Sequence, residues 1–172
     1  LMFFLKKLTL IIFFLFLGTN NSLSDQKIAF IDLDFVVENT NVGKGILKEL
    51  NDLNSQNIKK LKSREEELKL KEEEIKKKQN IISENEYNKE INLLKDKIKI
   101  FRNEKNMMVS NFNNEKNQKI KNLFNQMNPI IQNYMDQNSI DILLDRKNVY
   151  IGNIGSDITK DVIDEINKNI KK

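Results

Sequence analysis

A mainly α-helical protein is the fold class this sequence predicts: a long antiparallel coiled-coil hairpin inserted between the strands of a small β-containing body. Three observations carry that expectation. Ile46, Leu50, Leu53, Leu61, Leu68, Ile75 and Ile82 recur at steps of three, four and seven or eight, a narrow apolar seam like that of a coiled coil. A second seam runs through Tyr87, Ile91, Leu94, Ile98, Phe101, Met108, Phe112, Leu123, Met127, Ile130 and Tyr134. Short β-prone runs stand on either side of this helical stretch, separated by about 100 residues.

Residues 27–32 (KIAFID) read as the opening strand, and residues 35–39 as a helical turn before the first seam. Between the seams, Ser83-Glu84-Asn85-Glu86 has the S-x-x-E spacing of a capping box, in which the Ser hydroxyl and the Glu carboxylate satisfy each other's backbone N–H. The hairpin tip is therefore expected near residues 80–83. One uninterrupted helix is the competing arrangement. It would extend about 140 Å and leave its seam to a partner chain, whereas a hairpin closes the seam on itself. Pro129 lacks an N–H and clashes with the preceding turn, so it should kink or restart the return helix. Asn138 is the expected left-handed cap at its end. Residues 140–145 (IDILLD) and 149–152 (VYIG) read as two strands joined by Arg146-Lys147-Asn148. Asp157 then caps a last amphipathic helix whose Ile158, Val162, Ile163, Ile166 and Ile170 share a face.

The N-terminus predicts export. Lys6 and Lys7 precede an apolar run over residues 8–17, and Ser22-Leu23-Ser24 offers small residues to a signal peptidase. Residues 1–24 are thus expected to be a signal peptide cleaved before Asp25; the apolar run falls short of the ~20 residues needed to span a bilayer. The remaining domains are a body made of residues 25–42 and 129–172, and an arm over residues 43–128. That body has about 75 residues, a size at which a single core is marginal and short strands leave open edges. Several copies sharing one core would relieve both problems.

Composition narrows the chemistry. The chain has neither Cys nor His, which removes thiolates, the commonest general base and the commonest transition-metal ligand. No enzyme activity and no cofactor are expected. Val42-Gly43-Lys44-Gly45 is not a phosphate loop, because Glu38 stands where the first Gly belongs and Gly45 replaces the Ser/Thr. Glu65-Glu66-Glu67 and Glu72-Glu73-Glu74 lack the turn-forming Gly of a calcium loop and are expected to pair with lysines along the helix.

The opening Lys27-Ile28-Ala29-Phe30-Ile31-Asp32, the Asn41-Val42-Gly43-Lys44-Gly45 start of the arm and the ending resemble the Skp/OmpH family. The ending is the most specific part: Ser139-Ile140-Asp141-Ile142-Leu143-Leu144-Asp145, Asn148-Val149-Tyr150-Ile151 and Asp157-Ile158-Thr159. The resemblance implies a periplasmic chaperone that works without ATP. Its bodies would join in a homo-trimer, and its arms would enclose a cavity for unfolded outer-membrane β-barrel proteins. Ile28, Phe30, Ile142, Leu144, Val149 and Ile151 are the expected core of that shared body.

Residues 55–125 carry about 18 Lys/Arg against about 12 Asp/Glu, while the rest of the chain after residue 24 carries about nine against about 13. The arm is positive and the body mildly negative. Lys76, Lys77, Lys78 and Lys89 flank the tip as candidate client-steering charges; a solvated coiled-coil face is the plainer account of them. Phe101, Met107, Met108, Val109 and Phe112 are denser than the seam requires. Phe101, Met107, Met108 and Phe112 are the candidate client contacts, since Met adapts to varied partners; ordinary arm packing competes. Contact with an anionic membrane or lipopolysaccharide stays open as a partner. Nucleic acid is not expected, because the arm lacks interleaved aromatics for base stacking. The rival to a holding chaperone is a periplasmic coiled-coil spacer or assembly scaffold with no client.

Overall fold

The computed structural model describes residues 26–170; the expected signal peptide lies outside them. Strand β1 (Ile28–Ile31) is followed by helix α1 (Leu33–Asn39) and the long helices α2 (Asn41–Lys78) and α3 (Glu84–Gln137). Strand β2 (Ile142–Asp145) and helix α4 (Thr159–Asn169) complete the chain. Among the described residues no helix is long and apolar enough to cross a membrane.

Each helix start has a local cause. Asp32 accepts the N–H of Phe35 at 3.0 Å to cap α1. Thr40 is fully buried and closes one helix while opening the next: its N–H donates to the Val36 carbonyl and its hydroxyl accepts from Gly43. At this corner a Cβ on Gly43 would stand 1.9 Å from the Val37 carbonyl oxygen. Only glycine permits that approach, which gives Gly43 a packing role. The capping box at Ser83 and Glu86 forms as its spacing predicts, with the Ser83 N–H donating to the Glu86 carboxylate at 3.2 Å and the Glu86 N–H to the Ser83 hydroxyl at 3.3 Å. The Ser83 hydroxyl also donates to the Glu86 carboxylate at 2.8 Å, and this bond first, with the Ser83 backbone N–H second, holds the Glu86 carboxyl below its ordinary pKa.

Between Lys78 and Ser83 the chain turns, and α2 and α3 then lie against each other. Lys119 on α3 pairs with Glu49 on α2 at 2.9 Å, and Lys78 on α2 with Glu90 on α3 at 3.2 Å. The partners thus advance along α2 while retreating along α3. Pro129, expected to kink or restart the return helix, does not restart it: α3 runs through it to Gln137. The adjoining Met127 and Ile131 are buried in the body, and their packing offsets the lost Asn125 carbonyl bond.

The body forms where α3 meets the sheet, α1 and α4. Its core joins Ala29 and Ile31 of β1 to Val36 and Val37 of α1, Leu123, Met127 and Ile131 of α3, and Val162, Ile163 and Ile166 of α4, with Ile140 and Ile158 beside them. The predicted apolar face of the last helix is thus the face that packs. Cross-links add to it: Asp32 N–H to Thr159 Oγ1 at 2.9 Å, Asn41 N–H to Asn167 Oδ1 at 2.7 Å, and Lys27 N–H to Asp141 Oδ2 at 2.8 Å.

Three expectations need correction. Residues 149–152 form no strand. The chain after β2 is diverted by Asp145, whose carboxylate accepts the Lys147 N–H and starts a 3₁₀ turn over Arg146–Asn148. β2 pairs in parallel with β1 instead, with Ile28 opposite Ile142 and Phe30 opposite Leu144. The left-handed residue after α3 is Ser139 (φ 52°), not Asn138 (φ −103°). The Asn138 side chain donates to the Tyr134 carbonyl at 2.8 Å, which ties it to the last turn and passes the reversal to its neighbour. Asp157 accepts the Thr159 N–H at the first turn of α4, although Ile158 occupies the capping position itself.

Candidate functional site

Along α2 the positions that face α3 alternate in chemistry. Between Leu53, Leu61, Leu68 and Ile75, the steps of three and four that would continue the seam fall on Asn57, Arg64 and Lys71. A coiled coil holds through apolar knobs at these positions, and a polar residue in the seam costs packing. The consequence is visible in the burial. Leu50 and Ile75 are buried on α2, and Leu94 and Leu123 on α3, but no residue of α2 from 51 to 74 or of α3 from 95 to 122 is buried.

In the middle of the pair the helices leave a cleft of about 940 Å³. Leu53, Leu61, Phe101, Met107 and Met108 supply apolar wall, and Lys59, Lys60 and Arg64 stand on the α2 side. Glu104 and Glu115 face them from α3, and Arg64 is tied to Glu67 at 2.7 Å. The cleft is amphipathic, with charges of both signs.

Of the four apolar residues singled out from the sequence, Phe101, Met107 and Met108 meet in this cleft, and Met107 is 59% exposed. Phe112 is half-buried and lies outside it. The cleft's α2 wall was not anticipated from the sequence; Asn57 and Arg64 at seam positions hint at an interruption, but what stands opposite them on α3 decides it.

At the tip the four lysines divide. Lys76 pairs with Glu72 at 2.6 Å, and Lys78 with both Glu74 and Glu90 at 3.2 Å. Those carboxylates raise both lysine pKa values, through hydrogen bonding to Glu72 for Lys76 and to Glu74, then Glu90, for Lys78. Among the described residues no carboxylate lies within ion-pair distance of Lys77 or Lys89, and both are exposed. Ile81 stands beside them, 79% exposed.

A second surface lies on the sheet. Because β1 and β2 pair in register, Ala29, Ile31 and Leu143 point into the core, while Ile28, Phe30, Ile142 and Leu144 share the opposite face. Ile28, Ile142 and Leu144 stay exposed there; Phe30 is buried, with Gly152 against its ring and the half-buried Val149 close by. The neighbouring Tyr150 and Ile151 are exposed almost completely. The six residues expected in a shared body core therefore cluster around one face, but only Phe30 is buried within a single chain.

The profile of the family described as outer membrane protein (OmpH-like) matches residues 27–166. The chain belongs to the OmpH-like family. The match takes in every segment on which the resemblance was drawn, from the opening strand to the last helix. A solved structure from Caulobacter crescentus CB15, described as that of a proposed outer membrane chaperone (OmpH-like), superimposes with a TM-score of 0.77. It shares 18% identity, and the alignment covers 86% of this chain and 87% of that one. At that identity the likeness establishes the OmpH-like fold, a small two-stranded sheet bearing long helices. No curated protein matches the chain.

Proposed function

We propose that this OmpH-like chain is an ATP-independent periplasmic holdase, exported by cleavage of residues 1–24, that keeps unfolded outer-membrane β-barrel proteins from aggregating. Its working form is a homo-trimer. Bodies made of residues 25–42 and 129–172, into whose core Leu123 and Met127 at the base of the arm extend, join through the sheet face carrying Ile28, Phe30, Ile142 and Leu144, with Val149 and Ile151 beside it. Three antiparallel arms, residues 43–128, enclose the client. The observation that carries this reading is membership of the OmpH-like family over residues 27–166.

The chemistry of the surfaces supports it. An exposed apolar sheet face on a small body suits burial against further copies. Phe101, Met107, Met108 and Phe112 offer adaptable apolar contacts to a client. Lys77 and Lys89 carry most of the steering charge at the tip, because Lys76 and Lys78 are already paired. Many weak contacts on one enclosed client give avidity without any single strong site.

Two measurements on the chain from Asp25 onward test the reading. Light scattering on a sizing column should give three times the monomer mass; a stable monomer removes the cavity. At stoichiometric amounts the chain should also suppress aggregation of a urea-diluted barrel protein. A trimer that gives no protection is the spacer, and the holdase reading fails.

A further inference from the structure

The arm is packed at its two ends and open between them. Near the tip, Ile75 and Leu94 are buried and the Lys78–Glu90 ion pair bridges the helices. Near the body, Leu50 is buried and the Lys119–Glu49 pair does the same. Leu50 and Ile75 are separated by roughly 37 Å of helix at 1.5 Å per residue, and that interval holds the 940 Å³ cleft. A gap of this kind forfeits the dispersion contacts that would fix an interhelical distance. Met107 and Met108, on its wall, have side chains that repack at little cost.

We infer that the arm is a double-clamped spring: α2 and α3 separate and close locally in the middle of the arm while the clamps at tip and base stay shut. The helices themselves remain intact, since their backbone hydrogen bonds run within each helix and owe nothing to the seam. The motion changes the width of the arm without unfolding it. It requires no client, so it stands or falls apart from the holding function.

Pulsed spin-label distances in the chain from residue 25 onward test it. The absence of Cys makes introduced labels the only ones, and dilution with unlabelled chain isolates the distances within one arm. One pair, Lys60→Cys with Glu104→Cys, spans the cleft. The other, Glu73→Cys with Asn92→Cys, uses exposed positions two residues before the buried Ile75 and Leu94. The cleft pair should give a distance distribution about twice as wide as the tip pair, reflecting a local opening of low free energy. Adding Asn57→Leu and Asn111→Leu, which put apolar groups into the cleft from both helices, should narrow the cleft distribution to the width at the tip. Equal widths in the unfilled arm overturn the spring, whether both are narrow, as in a rigid open cleft, or both broad, as in an arm that frays from its end. A cleft distribution that stays broad in the filled arm overturns it as well.

Discussion

The body and the middle of the arm are built from the same helix, α3, and hold it in opposite ways. Within the body, Leu123 and Met127 are fully buried and meet side chains of the sheet and of helices α1 and α4. In the middle of the arm, Phe101 and Met108 have only α2 beside them and remain half-exposed. A single helical neighbour covers one stripe, so an interrupted stripe leaves the seam open; a corner of four elements covers a side chain on every side. Stability and accessibility are thereby separated along one element. The body fixes the geometry, and the arm keeps apolar surface available.

The largest expected effect sets the two regions against each other directly. Leu123→Ala should cost about 3 kcal/mol, the usual loss for truncating a fully buried Leu, read as a lower urea midpoint by circular dichroism. Leu61→Ala, on the cleft wall, should cost less than about 1 kcal/mol, because little area leaves water there. Equal losses would erase the distinction between packed body and open arm.

The next effect sharpens the body's side of the comparison. Gly43→Ala should cost about 1–3 kcal/mol, since its Cβ would meet the Val37 backbone, which cannot swing aside, as well as the capping hydroxyl of the buried Thr40. Gly155→Ala, whose Cβ would meet only Asn153 Oδ1 at 3.4 Å, should change stability by no more than about 0.5 kcal/mol. If the two glycines tolerate Ala equally, the α1–α2 corner is not the tight approach described.

A smaller effect belongs to the tip. Ser83→Ala removes the capping box and should cost about 1 kcal/mol. Hydrogen exchange should quicken in the first turn of α3 and stay unchanged around Leu123. Faster exchange throughout the arm would mean that the tip and the middle are not energetically distinct.

An effect of similar size at neutral pH is expected at Tyr134, whose hydroxyl donates to Asp161 Oδ2 at 2.9 Å across α3 and α4. Burial first, and this hydrogen bond second, raise its pKa from 10.0 to about 12. The folded chain keeps this proton where the unfolded chain has lost it. The stabilisation is therefore complete below pH 10 and declines as pH rises from there through about 12. Tyr134→Phe should cost about 1 kcal/mol at pH 7 and should flatten the fall in stability above pH 10 relative to the parent chain. Identical pH slopes for the two would remove Tyr134 as its source.

Local pattern alone placed the long helices. The Ser83–Glu86 capping box located the tip because every group in it lies within four residues. The apolar face of α4 was legible for the same reason, since helical periodicity needs no knowledge of a partner. The charge division between arm and body also follows from composition alone.

The tertiary structure decided which sheet face is buried, where the chain after β2 goes, and whether the seam closes. Ile28-Ala29-Phe30-Ile31 is apolar on both sides, so alternation cannot say which face meets the helices; the core takes Ala29 and Ile31 and leaves Ile28 outside. Residues 149–152 have strand chemistry, but a strand exists only when another backbone offers it a ladder, and β2 is paired with β1 while Asp145 diverts the chain. Whether Asn57 and Arg64 interrupt a seam depends on what stands opposite them. That is a property of two helices separated by a turn, and no window on either one contains it.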